Sequence, residues 1–575
     1  MVVLGISAYY HDSAAALIVD DKVTAAICEE RLSRIKHDKS FPKRAIAFCV
    51  EYSGITYTDI DYVVFYEKPF RKFERILNAH IFHAPKGFKA FVEAMPIWLK
   101  ERLDMKSTIM KSLNKLCQQK INWDIRFVEH HLSHAAMAYF TSTFENAAVL
   151  VVDAVGENAT TSLFKAIGGK IECIKQQSFP NSVGLLYSAF TYFLGFQVNS
   201  DEYKVMGLAP YGDLRAEQTQ RFINIIKTKL VSIGDDGSII INQEYFTFMV
   251  GLKMVDDRVW IKLFGIAKRD TNTPIKAEHK NLAAAIQCVT EEIFLKLAAH
   301  IKSLTQCHNL CISGGCALNC SAMGKIKANG LFTNVFVPFA PGDDGGAIGA
   351  ALAFHSLASD TRFLSNVSPY QGCNYENEEV EKAIKAEGLE FYFAQEDSLY
   401  DKIAVSLSHG NIVGWFQGRM EFGPRALGNR SILADPRAHS MKERVNAKVK
   451  YREAFRPFAP VVTQDDASRF FEDYYSPFMM FTTLVKQGIT LIPAVTHVDN
   501  TARIQTVTKV SNLRLYQLLK AFEKYAGIPI LLNTSFNVMG EPIVCTPVDA
   551  IKTFKASGLD ILVITRVRDK DCVKN

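Results

Sequence analysis

The 575-residue chain has no apolar run long enough to span a bilayer. Its first residues, MVVLGISAYYHD, lack a basic segment ahead of an apolar one. Neither a membrane segment nor a secretory signal is expected, and the cytoplasm is the expected compartment. Charge of one sign is scarce as well: a net charge of +6 is too mild to argue for nucleic acid. The 12 cysteines are scattered, with no C-x-x-C pair among them, and read as reduced thiols rather than a disulfide framework. Cys307, Cys311, Cys316 and Cys320 lie near one another but straddle an apparent strand, a Gly-Gly turn and a helix. Their side chains should diverge, and core packing is the expected role.

What remains is ordinary globular composition, 48% apolar and 22% charged. The length exceeds what one compact core accommodates, so two large domains are expected.

The chain turns on Phe127 to Glu157. His130 and His134 are four residues apart in a run of alanines and aromatics, which places both imidazoles on one helix face, one turn apart. That geometry suits two ligands of one metal ion. It is not the zinc-protease pattern, because no Glu follows the first His. Ala147 to Val152 reads as a buried strand, and Asp153 stands at its tip before a small-residue turn. Further on, Asp343 and Asp344 open a small-residue helix. Asp343 suits a ligand brought back to the His pair, and helix capping by either acid is the plain alternative.

A pattern recurs. Strands at Val2 to Ile6, Ala14 to Val19 and Val23 to Cys28 enclose a polar turn with Asp12 and a tight turn. Strands at Ala147 to Val152, Thr160 to Ala166 and Ile171 to Gln176 repeat the order, with Asp153 in the first turn. The repetition reads as an internal duplication. It is the layout of the class that holds actin, chaperone ATPases and sugar kinases, in which the two first turns clasp nucleotide phosphates. The charged run Glu29 to Asp38 follows the first set. Lys68 to Leu116 reads as a helical insertion, Leu282 to Leu304 as an amphipathic helix, and Asp213 to Pro274 carries no strong signal. Asp201 and Lys204 line a substrate cleft or form a surface salt bridge. Gly314 and Gly315, with Asn319 beyond them, form a strand-to-helix turn that lets a nucleotide approach the backbone.

Beyond Tyr370 the texture changes. Arg419 and Arg425 stand among glycines and a proline, and Lys450, Arg452 and Arg503 follow. Cations on such a framework suit phosphate oxygens, with Ser535 and Asn537 as hydroxyl and amide partners. Scattered surface salt bridges are the alternative.

The segments HDSAAAL, EERLSRIKHD, EHHLSHA, LLYSAF, EYKVMGLAPYG, SGGCALNC, FGPRALGNRSILADPR, FRPFAP, THVDNTARIQTV and NTSFNVMGEPI stand in this order. By them the chain resembles the NodU/CmcH family of O-carbamoyltransferases over nearly its whole length. Met323 and Cys316 stand where Asn and Val are expected, away from the proposed ligands. The resemblance implies an α/β chain with a duplicated actin-like (ASKHA) ATPase-type domain at 1–365, its helical insertion at about 68–122, and a YrdC-like α/β domain at 366–575. The second domain would form carbamoyl adenylate from carbamoyl phosphate and ATP with Mg(II), Lys450 and Arg452 matching a K-x-R signature and Ser535 and Asn537 an S-x-N signature. The first would pass the carbamoyl group to a hydroxyl of a natural product, such as an antibiotic precursor, or of a sugar. His130, His134, Asp153 and Asp343 match the ligands of a divalent metal, usually Fe(II) in that class. Asp344 leaves the last assignment open by one position. His11 or Asp12 is the candidate base for the acceptor hydroxyl. Nucleic acid and membrane are not expected partners, and homodimerisation is left open. An actin-like small-molecule kinase or ATPase is the alternative function. It accounts for the duplication but not for the late cations.

Overall fold

The computed structural model describes residues 1–97, 104–359 and 367–565. Its contacts divide the chain into two units, Met1–Thr24 with Phe41–Val367 and Ala25–Ser40 with Ser368–Asn575. The boundary expected at 365/366 and residues 98–103 of the expected insertion lie outside the described residues.

β1 (Val2–Ser7), β2 (Ala14–Val19), β3 (Lys22–Cys28), β4 (Tyr62–Phe65) and β5 (Ile125–Phe127), all of the first unit except the Ala25–Cys28 end of β3, form a sheet in the order β3-β2-β1-β4-β5. β1 pairs antiparallel with β2 and parallel with β4. A second set begins with β6 (Asn146–Val152), β7 (Ala159–Ile167) and β8 (Lys170–Ser178). A small hairpin follows, β9 (Val231–Ile233) with β10 (Ile239–Ile241), and then β11 (Asn309–Ser313) and β12 (Asn334–Phe336). The second sheet runs β12-β11-β6-β7-β8, with β6 antiparallel to β7 and parallel to β11. In both sheets, then, a first strand has its hairpin on one side and two later strands on the other. This shared order is the actin-like duplication. β1 and β6 are buried along nearly their whole length, which is why they read as continuous apolar runs rather than alternating ones.

The insertion holds the helices Pro69–His83, Phe88–Ile97 and Met105–Cys117. The stretch Asp213 to Pro274, silent in the sequence, also folds. It contributes helices Glu217–Ile225 and Asp257–Phe264 and the β9–β10 hairpin. Its anchor is Trp260, fully buried with ring centroids 4.9 Å from Phe190 and 5.4 Å from Phe264. Elements this short leave too few periods for a pattern to show.

Helix Gly345–Ser359 packs on helix His130–Phe140, and glycine sets how close they come. A Cβ at Gly349 would run into the backbone oxygen of Ser133. Gly349→Ala should therefore force the two helices apart at a cost of about 1–3 kcal/mol. Since one helix carries the His pair and the other begins just after Asp343, any metal held by these expected ligands should fall along with the melting temperature. Calorimetric melting and elemental analysis on the same sample check this, and a variant with unchanged melting and metal content refutes it.

The second unit carries a mixed six-stranded sheet. Its strands are β13 (Val413–Phe416), β14 (Arg430–Ala434), β15 (Ala459–Thr463), β18 (Gln505–Val507), β19 (Ile530–Ser535) and β20 (Ile561–Ile564), and β16 (Thr482–Leu484) with β17 (Thr501–Arg503) forms a separate pair. The order is β18-β15-β19-β14-β13-β20, with β19 antiparallel to both its neighbours. Its core gathers Trp415, Ile432, Val461, Leu518, Phe522 and Leu531.

Candidate functional site

Four side chains converge in the first unit. The His130–Phe140 helix starts at the first histidine, because the Glu157 carboxylate accepts its backbone N–H at 2.9 Å and that of Lys68 at 2.8 Å. Ring Nε2 atoms of His130 and His134 lie 3.1 Å apart. Asp153 Oδ2 is 3.0 Å from the first and 3.8 Å from the second, and Asp343 Oδ1 is 3.5 and 3.4 Å away. All four residues are buried, and their ligand atoms lie within 4.8 Å of one another. An ion bound at about 2.1 Å spaces neighbouring ligand atoms about 3.0–3.4 Å apart, so two nitrogens and two oxygens at these separations fit one divalent cation. The neighbouring acid plays a different part: Asp344 Oδ1 accepts the Gly345 N–H at 2.9 Å, capping its helix, while Asp343 faces the histidines.

The charges interlock. Burial opposes the charge on His134, but hydrogen bonds to Asp153 and Asp343, and their charges, raise it to about 10. Burial likewise opposes ionisation of Asp153, yet the two histidines hold it well below the usual carboxylate range. Protons on the two histidines thus balance the two carboxylates, the place a cation would take.

Gly314 and Gly315 serve this cluster. Gly314 has φ 90°, and a Cβ there would meet the carbonyl oxygen of Val152. The turn brings the Gly315 N–H to 3.3 Å from Asp153 Oδ1, which also accepts the Ala154 N–H at 2.8 Å. Asp153 is thereby fixed through one oxygen and faces the histidines with the other. Asn319 caps helix Cys320–Ala328 through the Ala322 N–H at 3.1 Å and exchanges hydrogen bonds with Gln287 at 3.0 Å. Asp201 and Lys204 pair at 3.1 Å, and both side chains are largely buried, which is not a surface bridge.

The first turn is strained. Tyr9 and Asp12 both take positive φ, 73° and 56°. His11 Nδ1 sits 3.0 Å from Asp12 Oδ2. Burial opposes its charge, but the bond to Asp12 and the charges of Asp343, Asp12 and Asp153 raise it to about 9. Two tyrosines that the sequence did not single out stand by the cluster. Tyr66 stacks near His130 at 5.2 Å between ring centroids, and burial with the charges of Asp343 and Asp153 keeps the Tyr10 phenol un-ionised.

In the second unit, Lys450 is 4% exposed. Its ammonium donates to Ser535 O at 2.7 Å and Oγ at 3.2 Å, and to Asn537 O at 2.9 Å and Oδ1 at 2.7 Å. Burial, then the charges of Arg452, Arg456 and Lys36, push its pKa well below that of a free lysine. Arg452 donates to Asn446 Oδ1 at 2.7 Å and lies 4.5 Å over the Phe458 ring. Arg503 stands apart from these contacts, at the end of β17 beside His497. Burial, with help from the Arg503 charge and against that of Asp499, lowers His497 to about 4. Arg419 braces the backbone, donating to Gln371 O at 2.6 Å and Gly372 O at 3.3 Å. Arg425 is half-buried in a loop built around Glu421, whose Oε1 accepts the N–H groups of Leu427 and Asn429 at 2.7 Å and of Arg430 at 3.2 Å. Sequence reasoning passed over Glu421. An acid set among arginines and glycines was the available signal.

Two family models cover most of the chain: carbamoyltransferase N-terminus over residues 2–352 and carbamoyltransferase C-terminus over residues 404–569. An uncharacterized protein of Synechocystis is 45% identical over 98% of this chain and 95% of its own length. Nodulation protein NolNO of Sinorhizobium fredii is 37% identical over 97% of this chain and 78% of its own. The 3'-hydroxymethylcephem-O-carbamoyltransferase of Streptomyces clavuligerus is 36% identical over 49% and 52%.

Proposed function

The chain belongs to the NodU/CmcH family of carbamoyltransferases, and from that membership and its two side-chain clusters we propose an ATP-dependent O-carbamoyltransferase with a separate site for each half-reaction. Its substrates are carbamoyl phosphate, ATP with Mg(II), and a small-molecule hydroxyl. Water cleaves carbamoyl phosphate to carbamate and phosphate. A carbamate oxygen then attacks the α-phosphorus of ATP and expels pyrophosphate, giving carbamoyl adenylate. The acceptor hydroxyl takes the carbamoyl group and releases AMP.

The observation that carries this reading is Lys450. Its four oxygen partners are all uncharged, and the charged groups acting on it among the described residues, Arg452, Arg456 and Lys36, are all cations. An anion with several oxygens supplies the missing charge. In this reading the unit carrying it is the YrdC-like, adenylate-forming one, in which Arg419 braces the Gln371–Gly372 backbone and Arg425 and Arg503, outside the Lys450 contacts, are the candidates for the ATP phosphates. Glu421 keeps the Arg425 loop in shape.

The His130, His134, Asp153 and Asp343 group is read as the metal site of the transfer step, with Fe(II) as the first candidate. A divalent ion held by these four side chains would supply Lewis-acid polarisation of the carbamoyl carbonyl. The Gly314–Gly315 turn orients Asp153 for it, and Glu157 fixes the helix that presents the histidines. The proton of the acceptor hydroxyl goes to the His11–Asp12 turn. His11 Nδ1 and Asp12 Oδ2 lie 3.0 Å apart there, and either side chain serves as the base. The acceptor is a hydroxyl of a sugar or another natural product; the Streptomyces clavuligerus relative is named for a hydroxymethylcephem.

The test is product analysis with carbamoyl phosphate, ATP and a panel of hydroxyl acceptors suggested by neighbouring genes. AMP and pyrophosphate should appear only when carbamoyl phosphate is present. ADP formed without it would favour an actin-like kinase or ATPase instead.

A further inference from the structure

The charged run Glu29 to Asp38 has the look of a solvated face, yet Glu29, Glu30, Arg31 and Asp38 are buried. By its contacts the run belongs to the second unit, as part of Ala25–Ser40. The Ala26 N–H donates to Gln371 O at 3.2 Å, and Arg31 Nη2 to Gly423 O at 2.9 Å. A short helix, Glu29–Ser33, ends where Arg34 turns left-handed at φ 62°. A non-glycine residue there costs on the order of 1 kcal/mol, which its contacts must offset.

Those contacts are specific. Arg34 Nη1 donates to Ile543 O at 2.6 Å and Nη2 to Pro542 O at 3.0 Å, while Nε lies 3.6 Å from Asp549 Oδ1. The two carbonyls belong to the returning arm of the loop that leaves β19. The outgoing arm carries Ser535 and Asn537, the residues that hold Lys450. Gly540 reverses the chain at φ 87°, and the Val544 N–H closes it onto Phe536 O at 2.9 Å. Asn537 Nδ2 reaches across to Glu541 O at 2.6 Å. The tip is in solvent, with Met539 61% exposed, so packing does little to fix it.

We propose that Arg34 is a positioning residue of the adenylate-forming site, clasping the returning arm of the 535–544 loop so that Ser535 and Asn537 stay set against Lys450. A planar guanidinium grips two neighbouring carbonyls at once, which a lysine ammonium cannot do with the same fixed geometry. Lys36, two residues on, adds its charge to those acting on Lys450, which places this strap beside the same site. The inference rests on the reading of the Lys450 cluster as the carbamoyl phosphate and ATP site.

The experiment uses the full-length protein with Arg34→Ala, Arg34→Lys and Arg452→Ala. For each, carbamoyl phosphate-dependent pyrophosphate release, transfer from synthetic carbamoyl adenylate, and thermal melting are measured. Arg34→Ala should raise KM for carbamoyl phosphate about tenfold to a hundredfold, the scale of a loop misplaced by about 1 Å, with transfer from supplied adenylate unchanged. Arg34→Lys, which keeps the charge near Asp549 but loses the fork, should fall between. If Arg452→Ala slows pyrophosphate release and neither Arg34 variant does, the inference is overturned while the site reading stands. Equal losses in both half-reactions, tracking a lower melting temperature, also overturn it, since Arg34 would then be scaffold. No effect from Arg452→Ala either would remove the site reading and the inference with it.

Discussion

A His130→Ala/His134→Ala variant should lose its bound metal and its ability to carbamoylate an acceptor, while still releasing pyrophosphate from ATP and carbamoyl phosphate. The two Nε2 atoms are half of a four-atom donor set, and no other described His or Cys belongs to that buried group. Changes to the outer partners of metal ligands already cost about 10–100-fold in affinity or activity, so removing two ligands should reduce transfer by about 100-fold or more. Alanine suits a helix that already contains Ala135, Ala136 and Ala138, but Asp153 and Asp343 lose their partners, so thermal melting of the variant is measured alongside. Elemental analysis of wild type and variant decides the metal claim, and equal metal content would sink it. The transfer claim has its own measure, product formation from synthetic carbamoyl adenylate. A variant that still transfers at the wild-type rate would place that step elsewhere.

Part of this site was legible because its residues repeat at short range. His130 and His134 are one helical turn apart, and Asp153 ends a strand that announces itself by apolar content. Asp343 and Asp344 could not be told apart in the sequence, because both open the same helix. Only the fold shows one capping that helix while the other faces the histidines. The duplicated hairpins were legible for the same local reason, and the paired sheet orders bear out the actin-like reading. What stayed hidden depends on distant partners. The Gly315 N–H reaches Asp153 across 162 positions, so a turn read as a nucleotide cradle also fixes a candidate metal ligand. The role of the charged run after β3 was not legible, because its polar partners, Gly423 and Ile543 among them, lie hundreds of residues away. Glu421 was hidden differently: its partners are backbone N–H groups, which no residue type advertises.

Arg452→Ala should slow carbamoyl phosphate-dependent AMP formation, yet the same protein should carbamoylate its acceptor at the normal rate when given carbamoyl adenylate. Arg452 acts on Lys450 through charge and is held by Asn446 and the Phe458 ring, so its removal leaves the Lys450 contacts in place. A charge-assisted contact to phosphate is worth about 1.5–3 kcal/mol, so substrate binding or turnover should fall about tenfold or more. Lys450 predicts the accompanying pH dependence. Burial and neighbouring cations depress its pKa in the free protein, and a bound anion relieves that depression. Binding should therefore take up a proton when the pH lies above the depressed value, and carbamoyl phosphate affinity should rise as pH falls toward it. Calorimetry in two buffers of different ionisation enthalpy reads that proton directly. The two measurements separate two designs. If the anion site serves only adenylate formation, supplied adenylate bypasses the Arg452 defect, and His134→Ala shows the reverse pattern, since the clusters share no ligands. If a folded Arg452→Ala protein cannot be rescued by the adenylate, one composite site must carry both steps, and the division of labour between the two clusters is wrong.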